Sequence, residues 1–335
     1  MTRIPTSGPR NRMARGQPRG RGLDPAALAE VEALLAGGSR EGDQLLEHLH
    51  RIQDRLGHLP TRHLRALAHW MRLPMAAVYE TASFYAHFDI VDDGGAPPAP
   101  LTVRVCDSLP CQLAGAAALR QALAAGLDPA RVRVTRAPCM GRCQQAPVVE
   151  VGRRHLGAAT PERVGEAIAS GDHAPEPVAW PRLDTYRAEG GYDLLQALRQ
   201  GTVTRESLAA ELETAGLRGL GGAGFPTHRK WQFVLAGPAP RYVVINADEG
   251  EPGTFKDRHY LERAPHQFLE GALVSAAVVE ADAIYVYLRD EYPGLHGVLR
   301  EAIAEVESAG LAPPGFVVLR RGAGSYVCGE ESALI

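Results

Sequence analysis

The sequence predicts an α/β protein built in three parts, and three observations predict it. Apolar residues recur at helical steps through 26–92. From 101, short alternating and β-branched runs take over, with helical stretches among them. Beyond 184, apolar runs at 242–245, 284–288 and 316–319 are separated by helical stretches near 265–280 and 295–308, the pattern of parallel βαβ units. A length of 335 residues suffices for two domains and a smaller third.

Residues 1–25 read as a solvated basic tail, because Arg3, Arg10, Arg12, Arg15, Arg19 and Arg21 lie among Gly and Pro before the first acid, Asp24. In the helical part, 26–92, Leu45, Leu46, Leu49, Ile52 and Leu56 line one face, and Leu64, Leu67 and Ala68 continue beyond Pro60-Thr61. Pro74 opens a further helix through Ala77 and Val78, which makes a bundle of three or four helices. Asp92 to Pro98 is a linker by composition.

The second domain, 100–170, begins with Leu101, Val103 and Val105 alternating as a strand that ends at Cys106. A helix over 113–125 follows, then strands at Val132 and Val134 and at Val148, Val149 and Val151, then a helix from Pro161 to about Ala169. Residues 171–183, with Pro175, Pro177 and Pro181, form a second linker. The third domain, 184–335, starts with helices near 191–199 and 204–215 that lead into a glycine-rich turn. Its last residues, 329–335, break off within a structured motif, which predicts that the chain is part of a longer protein.

Composition excludes several functions. The net charge of −3 supplies no field for nucleic acid, and 6% aromatics supply few stacking platforms. The most apolar long stretch, 268–288, is broken by Glu270, Glu280 and Asp282, so no membrane insertion is expected. No apolar leader of the secretory kind precedes the first domain, which points to the cytoplasm.

Four of five cysteines form two pairs, Cys106-x4-Cys111 and Cys139-x3-Cys143, each at a strand-to-loop transition. The intervening residues, Asp107 to Pro110 and Met140 to Arg142, are loop formers. Two such loops side by side can present four thiolates to one centre. Thiolates hold iron–sulfur clusters and structural zinc alike; the loose gaps favour iron–sulfur, and a disulfide pair is the third reading. Cys328 reads as a small buried hydrophobe without a ligand role.

The segment Gly219-x-Gly221-x-x-Gly224 formally matches the dinucleotide fingerprint, but a helix precedes it where that fingerprint requires a strand. Bare amides followed by a helix starting at Pro226 suit a phosphate or a flat ring; a plain tight turn would also explain the glycines. Lys230 lies on that helix, where it can pair with a phosphate. The strand at 242–245 delivers Asn246, Asp248, Glu249 and Glu251 at its C-terminal end, where open α/β sheets place ligands. A solvated acidic loop is the plainer explanation of those charges, and surface ion pairing suffices for Lys256, Asp257 and Arg258.

Residues 45–164 resemble the thioredoxin-like [2Fe–2S] subunit of bacterial complex I. The match runs through Gly57-His58-Leu59-Pro60, Ser83-Phe84-Tyr85, both cysteine pairs and Ala146-Pro147, although the stretch between the pairs is shorter than usual in that family. Residues from about 190 to 335 resemble the FMN- and NADH-binding flavoprotein subunit of complex I. The signatures are Gly-Gly-Ala-Gly-Phe-Pro-Thr at 221–227, Asn-x-Asp-Glu-Gly-Glu-Pro-Gly at 246–253 and Cys-Gly-Glu-Glu at 328–331. His228 stands where the family commonly has glycine, and Leu220 where many members have arginine.

The resemblance implies a thioredoxin-like [2Fe–2S] domain with Cys106, Cys111, Cys139 and Cys143 as ligands, followed by an α/β FMN-binding domain. It implies that Gly219, Gly221, Gly222, Lys230, Asn246, Asp248, Glu249, Tyr326, Gly329 and Glu330 hold FMN. Phe225, Phe233, Glu251 and Glu331 would shape the NADH site, with Glu251 and Glu331 closest to the reaction. The fused layout is similar to the β subunit of NAD-dependent molybdenum- or tungsten-containing formate dehydrogenases. Diaphorase subunits of NAD-reducing hydrogenases and NADH-quinone oxidoreductases are the alternatives, and a non-catalytic iron–sulfur or zinc module that docks a partner is the alternative of another class. The implied partner is a molybdenum, tungsten or other iron–sulfur catalytic subunit, and a [4Fe–4S] cluster is expected only in residues beyond this chain.

Overall fold

A computed structural model describes residues 22–219 and 223–334, leaving aside the side chains of Glu331 and Ser332. Most of the expected basic tail, and Gly221 and Gly222 of the glycine turn, lie outside the described residues.

The helical part consists of helices Pro25–Leu34, Leu45–Leu56, Thr61–Met71 and Met75–Phe84. Asp24 starts the first by accepting from the N–H groups of Ala26 and Ala27, with Pro25 at its first position. Leu49, Ile52, Leu64, Leu67 and Val78 are fully buried in its core, as the three- and four-residue spacing requires. A two-residue parallel pair, β1 (Leu59–Pro60) and β2 (Ile90–Val91), closes the end of the bundle.

The second domain is a mixed sheet of β3 (Leu101–Cys106), β4 (Val132–Ala137), β5 (Val149–Val151) and β6 (Arg154–Leu156), in the order β4-β3-β5-β6. Strand β6 has only three residues, too few for an alternating pattern to announce it. Strands β3 and β4 run parallel, with Cys106 opposite Ala137, joined by the helix Ala116–Gly126. Their shared direction brings both cysteine pairs to the same end of the sheet. Leu109–Leu113 is a short helix with Pro110 in its first turn, which corrects the expectation of a loop between Cys106 and Cys111. The helix Pro161–Ser170 ends the domain, capped by the Thr160 hydroxyl accepting from Arg163 N–H.

The third domain has a parallel sheet, β7 (Tyr242–Ala247), β8 (Ala283–Leu288) and β9 (Val317–Arg321), in sequential order. The crossover helices Pro265–Val279 and Pro293–Ser308 cover one face, and Leu269, Leu273, Leu299 and Val306 fill the core beneath them. Helices Leu183–Ala188, Asp193–Gln200, Arg205–Thr214 and Thr227–Ala236 lead into the sheet, and Lys256–Arg263 follows β7. The first of these was not foreseen; it begins at the end of the stretch read as linker.

Three parts become one body through polar contacts. Ala86 N–H donates to Gly324 O and His87 N–H to Ala323 O, both at 3.1 Å. Asp290, 4% exposed, accepts from Arg153 of the second domain at 3.0 Å and Arg321 of the third at 2.6 Å, and lies 2.8 Å from His87 of the helical part. Two arginines and a histidine from different parts thus share one buried carboxylate, and losing either arginine would leave its charge less fully compensated.

Candidate functional site: a cysteine loop against a flavin-type loop

Cys106 ends β3, Cys111 sits in the short helix beyond it, and Cys139 and Cys143 flank the turn after β4. Cys106, Cys111 and Cys139 are buried, and Cys143 is half-buried. Cys139 Sγ and Cys143 Sγ are 3.5 Å apart, and Cys106 Sγ is 3.3 Å from Ser108 Oγ. Cys106 neighbours both Cys111 and Cys139, which brings the two pairs together. The interaction with Cys106 pulls the Cys111 thiol down to about 7, whereas the interaction with Cys106 and burial push Cys139 up. Among the described residues no three His, Cys, Asp or Glu side chains converge on a single-ion site. Four thiols gathered as two pairs are the donor set that a binuclear cluster asks for, with two thiolates per iron.

Asn246 lies near the end of β7, the loop after it carries Asp248 to Gly253, and the turn after β9 carries Tyr326 to Gly329. Asn246 Nδ2 donates to Gly329 O at 2.8 Å, and Asn246 Oδ1 accepts from Asp248 N–H at 3.1 Å. A Cβ on Gly329 would stand 2.8 Å from Asp248 O, so the two loops approach as closely as backbone allows. Tyr326 Oη donates to Glu251 Oε2 at 2.6 Å on an open surface. Burial and the nearby Glu291 push Asp248 up to about 7, against the pull of Arg289.

In the segment before the helix Thr227–Ala236, Gly219 N–H donates to Phe225 O at 2.9 Å and Thr227 N–H to Leu217 O at 3.0 Å. The Lys230 ammonium lies 3.3 Å from where a Gly219 Cβ would be. A side-chain-free backbone beside an exposed ammonium at the start of the helix Thr227–Ala236 fits a phosphate. Phe225 and Phe233 are tilted neighbours with centroids 6.0 Å apart, and Phe233 is 61% exposed. Glu330 is exposed at the end of the β9 turn. For Glu331, the structure gives only its backbone, at the start of Glu331–Leu334.

Two expectations need correction. The Glu249 side chain is not offered to the open loop: it is buried, accepts from Asp257 and Arg258 N–H at 3.2 and 3.4 Å, and receives Tyr292 Oη at 3.3 Å. It caps the helix Lys256–Arg263 instead, where a carboxylate suits the unpaired amides. Arg258 is likewise no surface ion pair. It is 7% exposed and donates through Nε to Gly141 O at 3.2 Å and through Nη1 to Glu262 at 3.1 Å.

Those contacts join the two sites. Gly253 N–H donates to Cys143 Sγ at 3.2 Å. Buried Arg289 donates to both Cys139 O and Glu249 O. Gly141 has φ +64°, and a Cβ there would fall 2.1 Å from Tyr292 Oη, so the cysteine turn needs glycine both for its fold and for its closeness to the third domain. Sequence reasoning passed over Arg289 and Tyr292, which follow β8 with no motif around them. A charged residue directly after a buried strand was their one available signal.

The fold and site define a class: an iron–sulfur flavoprotein module. Residues 31–171 match the family of thioredoxin-like [2Fe–2S] ferredoxins, and residues 212–335 match the Nuo51 FMN-binding domain. The chain carries these two domains in tandem. Among similar proteins, an NADH-quinone oxidoreductase subunit of Aquifex aeolicus is 44% identical over 161 residues, spanning 46% of this chain and 37% of that one. An NADH-quinone oxidoreductase subunit of Rhizobium meliloti is 47% identical over 164 residues, spanning 46% and 38%. An NAD+-reducing [NiFe]-hydrogenase in its H2-reduced state matches the structure with a TM-score of 0.72 at 32% identity, covering 88% of this chain and 54% of that one. The chain thus spans about half, or less, of the length of these relatives. Among the described residues no helix is long and apolar enough to cross a membrane.

Proposed function

We propose that this chain is an NAD(H)-linked electron-transfer subunit, the diaphorase part of a larger oxidoreductase. The observation that carries the reading is the contact of the cysteine turn 139–143 with the loop 248–253, through Gly253 N–H on Cys143 Sγ at 3.2 Å. A cluster and a flavin built this close suit electron transfer between them. FMN, when bound, exchanges a hydride with the nicotinamide and single electrons with iron–sulfur centres.

The chain's own residues would divide the remaining work. Lys230 and the turn around Gly219, Gly221 and Gly222 would hold the phosphate. Asn246 and Asp248, fixed against Gly329, would meet the ribityl hydroxyls, and Asp248, poised near 7, can donate as well as accept. Glu330 would lie at the edge of the flavin. Tyr326 orients Glu251, which with Glu331 would face the nicotinamide while Phe225 and Phe233 flank it. Glu249 would act from behind, by fixing the loop. Hydride transfer asks for no general base, and none of these groups needs to be one.

The finer reading is the β subunit of a formate dehydrogenase, supported by the single-chain fusion of the two domains. The hydrogenase diaphorase is the second reading, favoured by the likeness across 88% of the chain. Purification of the intact complex from its native cells, followed by metal analysis, separates them. Molybdenum or tungsten in stoichiometric amount supports the first, nickel the second, and a complex with neither contradicts both.

A further inference from the structure

The cysteine turn 139–143 is surrounded by groups that its own domain does not supply. Gly253 places an N–H on Cys143 Sγ at 3.2 Å. Arg258, 7% exposed, holds Gly141 O with Nε at 3.2 Å and both carboxylate oxygens of Glu262 with Nη1 at 3.1 and 3.2 Å. Arg289, 2% exposed, holds Cys139 O with one terminal nitrogen and Glu249 O with the other, and pairs with Glu291 at 3.2 Å. Arg258 therefore lies between the cysteine turn and its carboxylate partner, and Arg289 reaches the turn directly.

We propose that the third domain sets the reduction potential of the cluster held by Cys106, Cys111, Cys139 and Cys143, with Arg258 and Arg289 as positioning residues. The inference rests on the reading of those four cysteines as cluster ligands. Each electron the cluster accepts adds one negative charge to a buried site. A guanidinium held nearby in a medium of low dielectric stabilises the reduced form, and an N–H donated to a ligand sulfur does the same. The cysteine domain supplies the ligands, and the flavin-type domain sets the energy at which they accept an electron.

The test uses the full chain with its cofactors, poised at a series of potentials and read by EPR. The flavin potential, read optically on the same samples, is the internal control. Arg258→Gln should lower the cluster midpoint, making its one-electron equilibrium on the order of tenfold less favourable, or about 59 mV. Arg258→Lys should restore most of it. Glu262→Gln, which frees the guanidinium of its counter-ion, should move the midpoint upward.

Opposite signs are the distinguishing feature, because simple loosening of the domain contact would move both variants the same way. Midpoints that stay put, or that fall in both variants, would overturn the proposal. If Arg258→Gln fails to accumulate, the upward shift in Glu262→Gln and the retained value in Arg258→Lys decide the matter. A chain without a [2Fe–2S] signal at any potential would instead overturn the ligand assignment beneath it, a result distinct from a signal with an unmoved midpoint.

Discussion

The cysteine site and the flavin-type site lie at corresponding places, beyond the C-terminal ends of parallel strands, yet they are built in opposite ways. The first is closed: three of its four thiols are no more than 6% exposed, and a short helix and a glycine turn wrap them. The second is open: Asn246, Glu251 and Lys230 are exposed, and Tyr326 is 56% exposed. The difference follows from what must pass. Electrons cross a wall of packed protein, whereas a dinucleotide has to enter and leave. Closure also shelters sulfur from water, which is one of the levers on a cluster's potential.

The largest expected effect breaks the comparison on its closed side. Cys139→Ser should abolish the cluster's EPR signal while flavin absorbance and NADH oxidation by an artificial acceptor persist. Loss of diaphorase activity with flavin still bound would show that the two sites are not separable in this way. Next comes the open side. Glu251→Gln should lower kcat/KM for NADH by about 10- to 100-fold, the scale of a hydrogen bond to a charged group, and leave flavin content unchanged. Flavin loss from the folded variant would reassign Glu251 to flavin binding.

Lys230→Met should weaken FMN binding by roughly tenfold or more, as loss of a charge-assisted phosphate contact does. Fluorescence quenching of added FMN measures it, and an unchanged Kd would return the glycine turn to a plain turn.

The last prediction concerns pH. Asp248 is raised to about 7 in the folded chain from an ordinary 3.8, so the folded state holds a proton that the unfolded state releases between those values. Stability of the flavin-free chain therefore falls as pH rises from 4 to 7, and the loss is complete above 7. Asp248→Asn should flatten that part of the Tm–pH curve. A slope that survives the substitution would place its origin elsewhere.

Much of this architecture was legible in the sequence because it rests on local signals. The three- and four-residue steps around Leu49 and Ile52 marked the bundle, and the runs at β7, β8 and β9 marked a parallel sheet. Cys106 at the end of β3 and Cys139 just past β4 were legible as strand-to-loop transitions, and the parallel pairing seen in the structure brings them to one edge. What stayed hidden was tertiary. Nothing near Arg258 distinguishes it from Lys256, which pairs with Asp257 at 2.6 Å on the surface. Only the docking of the cysteine turn buries Arg258. Glu249 looked like its acidic neighbours, and the helix that begins seven residues later turns it inward.

One measurement tests the central claim most directly: the visible spectrum of the anaerobically purified chain before and after NADH is added. The account predicts flavin bands over a broad iron–sulfur background, with the flavin bands bleaching on addition. An iron–sulfur spectrum without flavin, or flavin bands that NADH leaves unchanged, would contradict it.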